Sequence, residues 1–197
     1  MKKEELLKSI AINGYNVGFG AKKNFASHDI VLKLPSWIGF ITLAIGILQL
    51  GYNNLGTNKE LSALLIIISV AALYINIYNS SSDKFESEGV RLTKIFNQLR
   101  DLYYIVKVDT KSDFESEKKR MDEIMLKFYS NTISKQVFLS QWYAHFKFFY
   151  EMQIDWIDEQ LKFRFFKDKL PNSLKSLLLV IVVILLTILY YGHFKNI

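Results

Sequence analysis

The chain has no cysteine among its 197 residues. Disulfides, thiol nucleophiles and cysteine-based zinc sites are therefore excluded, and a reducing compartment suits it. Histidine is scarce. His28, His145 and His193 stand far apart, and none has a second histidine or a carboxylate at helical ligand spacing. No nucleophile elbow, Walker-type loop or pair of carboxylates within an apolar run is present. Gly14, Gly18 and Gly20 do not complete a phosphate-binding fingerprint, and no strand pattern precedes them. These absences disfavour an enzyme and leave no catalytic residue, metal ligand or cofactor to assign. Charge is missing altogether from residues 61–78.

That uncharged stretch is the second limb of a hairpin over residues 34–79, around which the chain is organised. Limb one runs from Leu34 to Tyr52 and limb two from Leu61 to Tyr78. Each is close to the roughly 20 apolar residues that cross a hydrocarbon core about 30 Å thick. The polar connection between them, residues 53–60, is too short to hold a domain. Two antiparallel transmembrane helices are predicted. A buried soluble hairpin is the alternative, and it would need a larger core than this chain can supply. Pro35 is expected in the first turn of limb one, where its missing N–H goes unnoticed. Trp37, Tyr52, Tyr74 and Tyr78 mark the headgroup levels.

Half of the chain is apolar, so the remainder must face water. Net charge is +6. On a membrane protein, excess lysine first means topology and anionic lipid, not nucleic acid. Lys2, Lys3, Lys8, Lys22, Lys23 and Lys33 precede limb one, only Lys59 lies between the limbs, and a further 16 Lys and Arg lie between Lys84 and Lys169. Both flanks are therefore expected in the cytoplasm and the connection outside. No apolar run lies within signal-peptide distance of Lys2 and Lys3, so a cleaved signal is not expected.

Four regions follow. Residues 1–33 form an N-terminal cytosolic helix with a stripe of Leu6, Leu7, Ile10 and Ala11, its glycines marking close packing or a break. Residues 34–79 are the hairpin. Residues 80–172 form a cytosolic helical region. Within it, Phe85, Leu92, Leu99 and Val106 recur every seven residues, with Ile95 and Leu102 between them. This is a coiled-coil-like seam, closed either inside one subunit or between subunits. Ser112 and Glu115 have capping-box spacing for a next helix, with Phe114, Met121, Ile124, Met125 and Phe128 as its apolar face. Residues 131–134 make a second break, with Ser134 capping a long aromatic-rich helix to about Lys169. Asp158 and Lys162 there make an i,i+4 pair, beside Glu151, Asp155 and Glu159. The aromatic rings of this helix are expected to pack under the hairpin, and a membrane-interface position, which the aromatic-plus-basic Phe163-Arg-Phe-Phe-Lys167 suits, is the alternative. Residues 173–197 hold a third apolar run and tail. The run is expected to span the bilayer as a third, C-terminal transmembrane helix, and a re-entrant or interface-lying helix is the alternative.

The spans carry polar and small residues at helical steps: Gly39, Thr42 and Gly46 in limb one, Ser62, Ser69, Ala72 and Asn76 in limb two. In lipid, small residues let helices approach and an amide needs a partner. A helix–helix interface accounts for them. Alternatively, Ser69 and Asn76 face a path in a ring of copies, because one subunit has too few helices to enclose a pore.

The layout resembles the SLATT family, the SMODS- and SLOG-associating two-transmembrane effector domains. The resemblance is carried by the order of parts: a helix with Tyr15 to Ala26 and its glycines, the tight apolar pair, Phe85 to Tyr104, then helices with Tyr129 and the Ile133-Ser134 start. The third run after Pro171 goes beyond the two-span pattern. The resemblance implies an all-α, oligomeric, pore-forming effector in the inner membrane of a bacterium, acting in antiviral defence by abortive infection. A partner sensor, a nucleotidyltransferase or reverse-transcriptase system, or its nucleotide second messenger, would open it. Direct nucleic-acid binding is not implied. A membrane-anchored scaffold without conductance is the alternative.

Overall fold

Along the N-terminal third, Leu7, Ile10, Gly14, Val17, Ala21, Asn24, Ser27 and Val31 recur at steps of three and four, the spacing of one helix face. In the computed structural model, which describes residues 1–130 and 135–194, they form the buried stripe of helix α1 (Lys3–Gly51). α1 is 49 residues long. At about 1.5 Å per residue it is a rod of roughly 73 Å. Its buried residues all lie within residues 6–31, and beyond them it is the first apolar limb.

The helix does not restart at limb one. Pro35 is inside α1, not in a first turn. Proline's fixed φ is helical, so the chain continues with one backbone N–H fewer. Apolar limbs tolerate that loss within a membrane.

A single turn, α2 (Asn53–Gly56), leads to limb two, α3 (Lys59–Asn76), which Asn58 caps by accepting Leu61 N–H at 2.8 Å. A 3-10 turn at Asn79–Ser81 then opens α4 (Ser82–Val108). α4 lies antiparallel along α1. A Cβ on Gly18 would strike Phe96, and one on Gly89 would strike Phe25. As the α1 position rises by seven the α4 position falls by seven, so glycines on both helices let the axes close. Phe85, Leu92, Ile95, Leu99, Leu102 and Val106 are at most 4% exposed. In this conformation the heptad seam is buried within its own chain, against α1 and the rest of the bundle core.

α5 (Glu115–Tyr129) buries Met121, Ile124 and Met125 against the same core. Ser112 does not cap it. Phe114, fully buried, occupies the cap position with no side-chain hydrogen bond, so burial of the ring sets the start.

The long helix expected to reach Lys169 is instead three: α6 (Ser140–Glu151), α7 (Asp155–Leu161) and α8 (Phe165–Asp168). Met152 is extended and Lys162 is left-handed at φ 51°. The breaks let Phe148, Ile154, Trp156 and Ile157 all enter one core, which no single straight helix face could do. The Asp158–Lys162 pair is therefore not made. Asp158 accepts Phe163 N–H at 2.7 Å, and Glu159 pairs with Lys107 at 2.6 Å. Residues 131–134, including the Ser134 cap, and the tail beyond residue 194 lie outside the described residues.

The last element is α9 (Asn172–Phe194). Leu177, Leu179, Ile181, Val183 and Leu185 are all exposed, and among the described residues no other helix packs along it. The two hairpin limbs are long and apolar enough to cross a membrane, and only 11% and 17% of their most apolar stretches is buried. Core helices of a soluble protein would be covered. All regular structure among the described residues is helical.

Candidate membrane groove and its junction with the bundle

Where α1 and α3 run side by side, Gly39, Ser69, Ala72 and Asn76 meet across one groove of about 460 Å³. Pro35, Ser36, Ile38 and Leu73 complete its walls. Four of the seven small or polar span residues singled out from the sequence thus share one site. The limb-two members fall together because steps of three and four keep Ser69, Ala72 and Asn76 on one helix face. Ser69 satisfies its hydroxyl by donating to Leu65 O at 2.8 Å. Thr42 donates to Ile38 O one turn below. A Cβ on Gly39 or Gly46 would meet no atom within 4 Å. Unlike Gly14 or Gly18, these two glycines are not required by the chain's own packing.

Thr42, Gly46 and Ser62 lie outside the groove. Ser62 is at the opposite end of the hairpin, where Gln49 Nε2 donates to its hydroxyl at 3.2 Å and to Leu55 O at 3.3 Å. Gln49 joins the two limbs and was missed in the sequence. It continues the Gly39, Thr42, Gly46 progression by one more step, so the signal was there.

At the other end of the groove the limbs enter the bundle through a polar collar on α1. Ser27, fully buried, donates to Gln136 Oε1 at 2.6 Å and accepts Val137 N–H at 3.5 Å. Gln136 Nε2 donates to Asn24 Oδ1 at 3.3 Å. On the next face, His28 Nδ1 lies 3.1 Å from Ser82 O and 3.0 Å from Ser82 Oγ. The carbonyl can only accept, so the tautomer that fits carries its proton on Nδ1. Asp29 pairs with Lys33 at 2.6 Å and with Lys147 at 2.7 Å. Burial pushes the Asp29 carboxyl up, but the Lys147 and Lys33 ammoniums outweigh it and hold it below the usual carboxylate range. Lys147 is raised, the Asp29 contact overcoming the burial that lowers it. The collar therefore ties one turn of α1 to α4, to α6 and to the segment before α6. Between the collar and the groove, Val137 packs with Ile30, Val31, Ile75 and Phe85.

His145 and Trp156 each hold a buried ring nitrogen, Nδ1 and Nε1, without a partner among the described residues. Burial, then Lys175, pushes the His145 imidazole below its ordinary value, so the ring is neutral near pH 7. Among the described residues no three His, Asp or Glu side chains are grouped to hold a metal ion.

A family model, the SMODS and SLOG-associating 2TM effector domain 6, matches residues 1–179. No curated protein and no solved structure matches the chain. The matched span takes in the whole bundle and the hairpin. A paired membrane limb on a helical bundle is the architecture that a two-transmembrane effector domain requires, and the chain belongs to this SLATT family.

Proposed function

We propose that this chain is the pore-forming effector of a bacterial conflict system, and that copies assemble around their membrane grooves. The bundle and both hairpin flanks lie in the cytoplasm, and the connection at residues 53–58 lies outside. A partner sensor, or the nucleotide it makes, acts on the bundle and opens the path, and the breached membrane arrests the host cell.

One observation carries this proposal. α1 is a single unbroken helix whose lower part is gripped in the bundle and whose upper part forms one wall of the groove. A shift of the lower rod must move Gly39, because a helix transmits displacement along its axis. The collar at Asn24, Ser27, His28 and Asp29 sets how firmly the rod is held. Pro35, lacking one backbone bond, is the place where the rod can bend. Near-complete switching needs a signal that favours the open state by about 5.5 kcal/mol.

The test is to express the chain with its genomic partner and follow membrane potential and dye exclusion once the system is triggered. Depolarisation at the moment of growth arrest supports a pore. Arrest with potential and dye exclusion intact overturns it.

A scaffold without conductance is the second proposal. It is favoured by the exposed strip of Tyr104, Ile105 and Val108 on α4, which share one helix face. Ile105→Lys with Val108→Lys then abolishes partner recruitment while leaving membrane insertion unchanged.

A further inference from the structure

A second pocket, of about 360 Å³, lies below the groove, between the foot of the hairpin and the foot of α9. Lys23, Gln136, Phe138, Leu139, Trp142 and Ser173 line it. Its height is set by two contacts. Val137 belongs to the small core against which Leu34 and Tyr78, at the two ends of the hairpin, also pack. On the far side, Trp142 Nε1 donates to Ser173 Oγ at 2.8 Å, in the first turn of α9. The pocket therefore sits where the apolar segments leave the bundle.

Its rim is apolar and held outward. Phe138 is 74% exposed. Leu139 takes a left-handed backbone at φ 67°. For a residue that is not glycine this conformation is strained. It persists because the Leu139 carbonyl accepts the N–H groups of Trp142 and Tyr143, both at 3.1 Å, and starts α6. The consequence is a phenyl ring turned outward on the rim of the pocket.

The interior is different in kind. Among the described residues no carboxylate lines it and Lys23 has no ion pair. Water occupies about 30 Å³ per molecule in the liquid, so the space is that of about twelve waters. This accommodates a phosphate and its glycerol but not an acyl chain. Acyl chains have somewhere to go: the apolar face of α9, which no helix among the described residues covers, rises directly above Ser173.

We propose that this pocket holds the phosphodiester headgroup of an anionic phospholipid, with Lys23 on the phosphate, Phe138 in the interface beside it and the acyl chains along α9. The lipid then wedges α9 against the hairpin. This inference needs the bilayer only, and it stands or falls separately from conductance.

The absence of cysteine makes the test clean. Single-cysteine chains with a nitroxide at Phe138→Cys or, as a control, at Ser116→Cys are placed in nanodiscs of phosphatidylcholine with one quarter phosphatidylglycerol. The label at 138 is expected to favour oxygen over a water-soluble nickel chelate as collision partner, and the label at 116 the reverse. In native mass spectrometry of the full chain, Lys23→Gln is expected to lower phosphatidylglycerol retention about fivefold, the ratio that one near-surface lysine confers. Lys119→Gln, on the open face of α5, is expected to leave retention unchanged. A water-like label at 138, or equal retention in Lys23→Gln, overturns the proposal. Displacement of the lipid by millimolar inorganic phosphate overturns it as well, because the pocket would then be a general anion site.

Discussion

Replacing Gly14 by alanine tests whether the rod is held as described. A Cβ at Gly14 would stand 2.2 Å from Trp156 Cη2 and 3.0 Å from Cζ2. Carbon atoms rest about 3.5–4.0 Å apart, so the indole must retreat by more than 1 Å. It has no room. Trp156 is 2% exposed and lies between Phe96, at 5.5 Å between ring centres, and Tyr103, at 5.2 Å. Overpacking of this kind costs about 1–3 kcal/mol. Alanine recovers about 1 kcal/mol of helix propensity that glycine forfeits. With so severe an approach the clash wins, for a net loss of about 1–2 kcal/mol. Gly39→Ala is the internal control: its Cβ meets nothing within 4 Å, so only the propensity gain applies within one subunit. The assay is amide hydrogen exchange in detergent across Asp155–Leu161. Gly14→Ala should speed exchange there about 5–30-fold, the factor that 1–2 kcal/mol represents. Gly39→Ala should leave it unchanged. Exchange in Gly14→Ala as slow as in the wild type would mean that Trp156 is not pinned on α1, and the grip on the rod would have to be sought elsewhere.

Asp29→Asn should weaken the hold of α6 on α1 at neutral pH. The depressed Asp29 carboxyl stabilises the fold above its unfolded pKa of about 4, and the contribution is lost as pH falls through the lower folded value. The raised Lys147 stabilises below about pH 10.4 and is lost as pH rises through its folded value. Melting temperature against pH should therefore fall at both extremes in the wild type, with both limbs flattened in Asp29→Asn. A variant curve parallel to the wild type would refute the pair. Ser27→Ala removes the partner of Gln136 and Val137 N–H in a fully buried place, and should cost about 1–2 kcal/mol in denaturant melts. Pro35→Ala restores a backbone bond within α1 and should raise the dose of trigger needed for growth arrest; an unchanged dose would remove Pro35 as the bending point. Thr57→Cys should react with an impermeant maleimide applied outside intact spheroplasts, and Ser116→Cys only after lysis. The reverse pattern would invert the proposed topology.

The polar collar was the least legible part of the molecule. Asn24, Ser27 and Asp29 read as ordinary residues of a helix flank, and their partners Gln136 and Lys147 lie 109 to 118 positions away. Nothing local marks such pairs. Gln49 was legible and overlooked, being the amide that continues a small-residue progression in an apolar run. The breaks at Met152 and Lys162 were hidden for a different reason. The residues between them have acceptable helix propensity, and only the demand that Trp156 and Phe148 reach the same core bends the chain.

By itself the sequence determined that two uncharged limbs joined by a short polar link enter a membrane, that helices make up the rest, and which stripe of α4 is apolar. Those properties are sums over neighbouring residues, so they can be read without knowing what touches what. Only the tertiary structure decided that the α4 stripe closes on α1 of its own chain, that α1 passes through Pro35 without stopping, and that Gly39 faces Ser69, Ala72 and Asn76. These depend on the register between distant segments. The register is set by where a glycine lets a phenylalanine or an indole sit, and no local pattern encodes that match.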